Sequence, residues 1–429
     1  MNCRSLTRYY FALFLLGGLL ASPQQVHAQA TEVHQQDRDT SIFAGLVVPV
    51  GTQAVAPILK AIPDSVRVVG LGESSHFTKQ YYDYKRAIIA ELLTERDFEA
   101  VVFEVDYGTA LEWDSFVTEG VGNIDTILYN CAWFTYQTEE FKEVLLSIRD
   151  INSKQAAKVR ILGMEMTYSP GLLKRLQTVY DQAYNGSHRG ELMKLLAATR
   201  DTADLLAFSY HNPAAVASLL NLSDLLRQGV DSLETDDLLK LGTNLPEVRM
   251  INNLFDQFCT YVASRNSYTQ LKIRDQFSFD NIEWFAEIHD IDRYIVWAHS
   301  GHIQNRYYYA QLGSLLKYAH GEKYYSIGFD YGEGENGTIV AGQGLTGLSY
   351  PIEEETATAE FFQHYDSDVF LDLRLAERQQ RLMRPVTIRN TFSESTNPDR
   401  YRASREVVLP EINDGMIFVR EVRLPTKSE

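Results

Sequence analysis

The stretch Arg67-Val68-Val69-Gly70-Leu71-Gly72-Glu73-Ser74-Ser75-His76 decides the fold. Its apolar start reads as a short buried strand, and it breaks at Gly72 into a polar loop. Tyr81, Tyr84, Ile88 and Leu92 then recur at helical spacing. The same order of strand, polar end and helix continues outward. Ala100-Val101-Val102-Phe103-Glu104 forms the next strand, and Phe141, Val144, Leu145, Ile148 and Ile151 mark a helix. Val159-Arg160-Ile161-Leu162-Gly163 follows as a third strand. Alternation of this kind predicts an α/β fold, a parallel sheet covered by helices.

From 171 to 284 leucine-rich helical segments succeed one another with no strand between them, which predicts an inserted helical domain. Strands resume at Arg293-Tyr294-Ile295-Val296-Trp297-Ala298 and Tyr324-Tyr325-Ser326-Ile327-Gly328-Phe329. Thr338-Ile339-Val340 and Met416-Ile417-Phe418-Val419 are assigned to a smaller C-terminal α+β portion packed on the main sheet. The expected organisation is an α/β core over 31–170 and 285–332, the insertion over 171–284, and the smaller portion over 333–429. Gly332-Glu333-Gly334-Glu335-Asn336-Gly337 matches a dinucleotide-binding spacing, but a strand rather than a helix follows it, so it reads as a hairpin or loop.

Three strand ends carry polar groups that a packed core does not require: Gly72-Glu73-Ser74-Ser75-His76, Glu104-Val105-Asp106 and His299-Ser300-Gly301-His302. In an open parallel sheet, ligands bind beyond the carboxyl ends of the strands. The three segments are therefore expected to meet there. A neutral imidazole takes a proton from water, and a neighbouring carboxylate fixes its tautomer and stabilises the cation formed. Glu73 and His76 lie close enough in sequence to share one loop.

Arg4 and Arg8 precede an apolar stretch over 9–21, followed by small residues ending Val26-His27-Ala28 or Ala28-Gln29-Ala30. That order is the pattern of a secretory signal peptide over 1–30, which predicts an exported protein, periplasmic or extracellular. Cys3 precedes the apolar stretch, so no lipid anchor is expected. No later run approaches ~20 uninterrupted apolar residues, which argues against stable membrane insertion. The chain carries a net charge of −17, and loss of Arg4 and Arg8 with the leader makes it −19. Such a balance disfavours a nucleic-acid partner, which needs a clustered basic surface. Cys131 and Cys259 are read as core thiols rather than as a disulfide framework.

These segments resemble the erythromycin esterase family. Its signature of a strand, a Gly-Glu pair and a histidine three residues after the glutamate is matched by residues 69–81. Phe103-Glu104-Val105-Asp106, Trp133, Ile148-Arg149-Asp150-Ile151-Asn152, Arg274-Asp275 with Asn281, Trp297-Ala298-His299-Ser300-Gly301-His302 and Leu312-Gly313-Ser314-Leu315 follow in order. The resemblance implies a three-layer α/β core with a helical insertion and hydrolysis of an ester, a macrolide lactone being the first candidate substrate. It implies His76 as general base toward water, with Glu73, Glu104, His299 and His302 around it, and Arg274 either holding a substrate oxygen or carboxylate or forming an ordinary helix ion pair. Arg274 shares its helical face with Ser278, Asn281 and Phe285. Phe77 stands where the family has glycine, Gln80 where it has glutamate, Ser278 where it has methionine and Ser300 where it has asparagine. Phe77 and Ser300 are thus the positions expected to shape substrate binding.

Other readings stay open at this point. Ser74 or Ser75 as nucleophile lacks the Gly-x-Ser-x-Gly elbow that exposes such a serine. No cofactor is implied, although His76, His299 and His302 with Glu73 or Glu104 offer the ligand types of a divalent metal. An exported binding protein that holds a ligand in the same crevice without turnover is the alternative from outside enzymology. Tyr307-Tyr308-Tyr309 is read first as core or rim packing and second as pocket wall.

Overall fold

The structure, a computed structural model, describes residues 46–427 except 132, 168, 209–212, 265–266, 307–310, 341–343, 351–355, 377–382 and 390–403. The signal-peptide segment and the Tyr307-Tyr308-Tyr309 run lie outside the described residues.

Eleven strands are described: β1 (Val47–Pro49), β2 (Val68–Leu71), β3 (Ala100–Asp106), β4 (Arg160–Glu165), β5 (Tyr294–Trp297), β6 (Tyr324–Val340), β7 (Gly344–Tyr350), β8 (Val369–Asp372), β9 (Val386–Arg389), β10 (Ser404–Val407) and β11 (Gly415–Val422). Nine form one sheet in the order β1-β8-β11-β6-β2-β5-β3-β4, with β7 paired to β6. The run from β11 to β4 is parallel throughout, while β8 and β1 close its other edge antiparallel. β9 and β10 make a separate antiparallel pair.

The central strands alternate between two cores, as the period of two requires. Val69, Leu71, Val101, Phe103, Ile295 and Trp297 pack on one face with Tyr84, Ile88 and Leu92 of the Lys79–Glu95 helix and with Phe141, Val144 and Leu145 of the Glu139–Lys154 helix. Val68, Ala100, Val102, Tyr294 and Val296 face the opposite way. They pack with the helices Pro170–Ala183, Leu245–Ala263, Ser267–Ile288 and Leu312–His320. Burial on both faces explains why these strands read as continuous apolar runs rather than as polar–apolar alternation. Among the described residues between β4 and β5 the elements are helices, from Pro170–Ala183 to Ser267–Ile288.

Local signals fix where the elements start. Asp106 closes β3 and caps the Tyr107–Glu119 helix, accepting from the Gly108 and Thr109 amides at 3.1 and 3.3 Å. The same carboxylate accepts from the Leu172 amide at 3.0 Å, so it also anchors the start of the Pro170–Ala183 helix. Gly70 and Gly72 serve close approach. A Cβ at Gly70 would lie 2.6 Å from Ile303 Cγ2, and one at Gly72 would lie 2.7 Å from Ser300 Oγ. The short Ser300–Ile303 helix therefore rests directly on β2, which carries His299 and His302 to the end of that strand.

The C-terminal chain differs from the sequence expectation in one respect. The boundary placed after Gly332 falls inside β6, and β8 and β11 extend the same sheet rather than packing on it. The glycine-rich run looks like a loop because glycine has poor strand propensity. Its backbone is nevertheless paired, first with β11 through Glu333 and Gly334 and then with β7 from Gly334 onward. Gly334 has φ 126°, and a Cβ there would strike the Val422 carbonyl oxygen at 2.1 Å.

Candidate active site

The register aligns Leu71, Trp297, Phe103 and Gly163 across β2, β5, β3 and β4. Beyond that line the carboxyl ends of the four strands deliver Glu73 and His76, His299 and His302, Glu104, and Glu165. The convergence expected from the sequence is present.

His76 Nδ1 lies 2.7 Å from Glu73 Oε1. The other carboxylate oxygen accepts from Lys85 Nζ at 2.5 Å and from Trp297 Nε1 at 3.2 Å. Lys85 is fully buried on the inner face of its helix, with its ammonium 4.2 Å from the Trp297 ring centre. Burial works against the Glu73 charge, but Lys85 and His76 hold the carboxyl below its ordinary value. The ammonium pays for this proximity in burial, which pushes Lys85 down to about 8 despite Glu73. An ionised Glu73 accepts only, so the His76 proton sits on Nδ1 and the lone pair of the neutral ring sits on Nε2. The His76 side chain is 20% exposed, against 6% for Glu73, which makes it the member of the pair that solvent reaches.

Glu104 forms the second centre. Its Oε1 accepts from Arg274 Nη2 at 2.5 Å, and its Oε2 accepts from the His299 amide at 3.0 Å. Burial disfavours its charge, yet His302, Arg274, His76 and the His299 N–H hold the carboxyl well below the usual range. Arg274 also donates through Nε to Glu165 Oε1 at 2.9 Å and through Nη1 to His302 Nε2 at 3.1 Å. Burial opposes its charge too, and Glu165 and Glu104 more than offset that. All three guanidinium nitrogens thus point into the network, so Arg274 is first a clamp between two strand ends.

The two remaining imidazoles differ in state. His299 Nδ1 accepts from the Gly301 amide at 3.1 Å, and burial and the neighbouring His76 depress its pKa to about 3. It is therefore neutral, with its ring 5.0 Å from that of His76. His302 Nδ1 lies 2.5 Å from Asp275 Oδ1. Burial and Arg274 oppose protonation of His302, but Asp275 and Glu104 prevail and raise its pKa.

The helical face predicted around Arg274 is engaged as a unit. Ser278 Oγ lies 3.4 Å from Glu165 Oε1, Asn281 donates to the Met164 carbonyl at 3.0 Å, and Phe285 stacks on Tyr107. Phe77 is 1% exposed, so its ring offers no surface to solvent, and its carbonyl receives the Gly337 amide at 3.1 Å. The Ser300 amide donates to the Glu73 carbonyl at 2.8 Å, which ties the two histidine-bearing loops together. Ser75 bonds Thr78 Oγ1 at 2.8 Å and Asn336, and Ser74 bonds the Tyr81 hydroxyl at 2.7 Å. Those bonds build the loop. Among the described residues no group of three or more His, Cys, Asp or Glu side chains is arranged to hold a metal ion. Cys131 and Cys259 are buried and unpaired with each other.

Three members escaped the sequence reading. Glu165 lies two residues past Gly163, the end of the third strand as the sequence predicts it. Lys85 was legible as the one cation among Tyr81, Tyr84 and Ile88 on an inward helical face, and Asp275 stands beside Arg274 in a motif already noted.

A parallel α/β sheet with a histidine–carboxylate crevice at its strand ends defines the class of this molecule. Residues 93–422 match the erythromycin esterase family model, and the chain belongs to that family. It is 29% identical to the erythromycin esterase type II of Escherichia coli over 126 residues, a match spanning 29% of each protein. The fold is similar to that of a Bacillus cereus protein of known crystal structure, with TM-score 0.73, 21% identity and coverage of 90% of this chain and 97% of the other. A mutant of the erythromycin esterase EreC in its open conformation is also similar, with TM-score 0.61, 16% identity and coverage of 87% and 95%.

Proposed function

We propose that the protein is a hydrolase that cleaves an ester or lactone with water activated by His76. The observation that carries this reading is the His76–Glu73 pair, held from behind by Lys85 and Trp297. Water gives its proton to Nε2 while its oxygen attacks the acyl carbon, and the ionised Glu73 stabilises the imidazolium formed. Family membership supports the reaction class. Glu104 and Arg274 fix the facing wall and keep His299 and His302 in place.

The substrate class is a small-molecule ester, with a macrolide lactone as first candidate. The chemistry is proposed to run without a bound metal, and the protein is proposed to be exported after cleavage at Ala28 or Ala30. Incubation of the mature protein with a macrolide panel and small acyl esters, read by mass spectrometry for the gain of one water, tests the reaction. Hydrolysis of small esters alone rejects the macrolide and keeps the mechanism. Turnover of neither set, with ligand binding retained, favours a binding protein. Activity lost on chelation and restored by zinc assigns the chemistry to a metal instead.

A further inference from the structure

Asp275 is 1% exposed, and the Nδ1 of His302, 2.5 Å from its Oδ1, is its hydrogen-bond partner. Its Oδ2 is buried with no hydrogen-bond partner among the described residues. A carboxylate so placed is costly unless the imidazole it holds needs its charge. The other ring nitrogen, Nε2, meets Arg274 Nη1 at 3.1 Å and Glu104 Oε1 at 3.5 Å. The neutral ring accepts there from Arg274. The protonated ring presents Nε2–H to Glu104.

We propose that Asp275 is the positioning residue of a second histidine–carboxylate pair, holding the His302 ring by Nδ1 so that Nε2 delivers the proton of the leaving oxygen. The inference rests on the hydrolytic reading above and divides the acid–base work of that reaction between two pairs. His76 takes a proton from water as the water oxygen bonds to the acyl carbon. The bond from that carbon to the leaving oxygen then breaks, its electron pair stays on that oxygen, and the Nε2 proton of charged His302 completes the alcohol. The acid product releases its proton, and His76 passes the one it took through solvent to His302, which resets both rings.

His302 is faced by Asp275 and Arg274 from the Ser267–Ile288 helix, by Glu104 from β3 and by His299 from its own segment. Glu165 on β4 holds Arg274 from behind. Loss of the Asp275 charge should therefore lower the pH at which His302 protonates.

The test uses the mature protein and its Asp275→Asn and Asp275→Glu variants. Imidazole ¹⁵N NMR follows the tautomer and titration of His302, and the pH dependence of kcat is measured on the best ester from the screen. The expected result is an Nδ1–H tautomer in the parent and a lower-pH titration in Asp275→Asn. The alkaline limb of kcat should move down with it at unchanged KM and melting temperature, and Asp275→Glu should restore part of the shift. An unchanged His302 titration, or a rate loss explained by a lowered melting temperature, overturns the proposal. A parent protein that hydrolyses no ester defeats the hydrolytic reading and the leaving-group role together, while NMR still decides whether Asp275 sets the state of His302.

Discussion

Lys85 and Glu73 are both buried, so each depends on the other for its charge. Removing one member of a buried pair strands the other and typically costs about 3–5 kcal/mol. Glu73→Ala should therefore lower the melting temperature as well as abolish activity, because it leaves an ammonium without its carboxylate in the core. Calorimetry beside a rate assay checks this, and a variant as stable as the parent would show that Lys85 does not rely on Glu73. The histidines and first carboxylates of the site were legible because they interrupt apolar strands with groups a core has no use for. Their partners were less so. Lys85 and Asp275 lie on helices, Lys85 on an inward apolar face and Asp275 in the polar run Lys272-Ile273-Arg274-Asp275-Gln276, and the role of each depends on a contact across the fold that spacing does not reveal.

At the scale of elements, the crevice depends on two helix starts meeting beside β3. A Cβ on Gly108 would fall 2.0 Å from the Gly171 carbonyl carbon, a contact with backbone that no side-chain rotation relieves. Gly108→Ala should cost about 1–3 kcal/mol by forcing the Tyr107–Glu119 and Pro170–Ala183 helices apart. Chemical denaturation measures it, and an unchanged midpoint would mean that the two starts separate freely. The strands β2, β3 and β5 were read nearly to their ends because their apolar runs are bounded by polar breaks. The last residues of β4 were missed because Met164 and Glu165 follow a glycine. β6 was cut short for a related reason, since Gly332, Gly334 and Gly337 suppress the strand pattern while the backbone goes on pairing. The long-range order that places β11 beside β6 leaves no local signature at all.

For the whole molecule, the buried site makes stability depend on pH. His299 is held down to about 3 in the folded state against 6.5 for an ordinary histidine, so the unfolded chain binds more protons between these values. Its contribution is present above about pH 6.5 and is lost as the pH falls. Glu73 and Glu104, both lowered, act in the same direction below the ordinary carboxylate range. His302, which is raised, acts oppositely: its contribution is present at low pH and lost as pH rises through its folded value. Between pH 6.5 and the ordinary carboxylate range His299 acts alone, because His302 changes above pH 6.5 and the two carboxylates below their ordinary values; the melting temperature should therefore fall from pH 6.5 to 4, and a flat or rising profile would contradict the neutral state of His299. The most direct test of the account remains the rate of ester hydrolysis by His76→Ala, measured beside the parent with circular dichroism to confirm the fold. The account predicts a loss of ~10²–10⁴-fold in a variant that stays folded. Retention of the parent rate by a folded His76→Ala protein would contradict it.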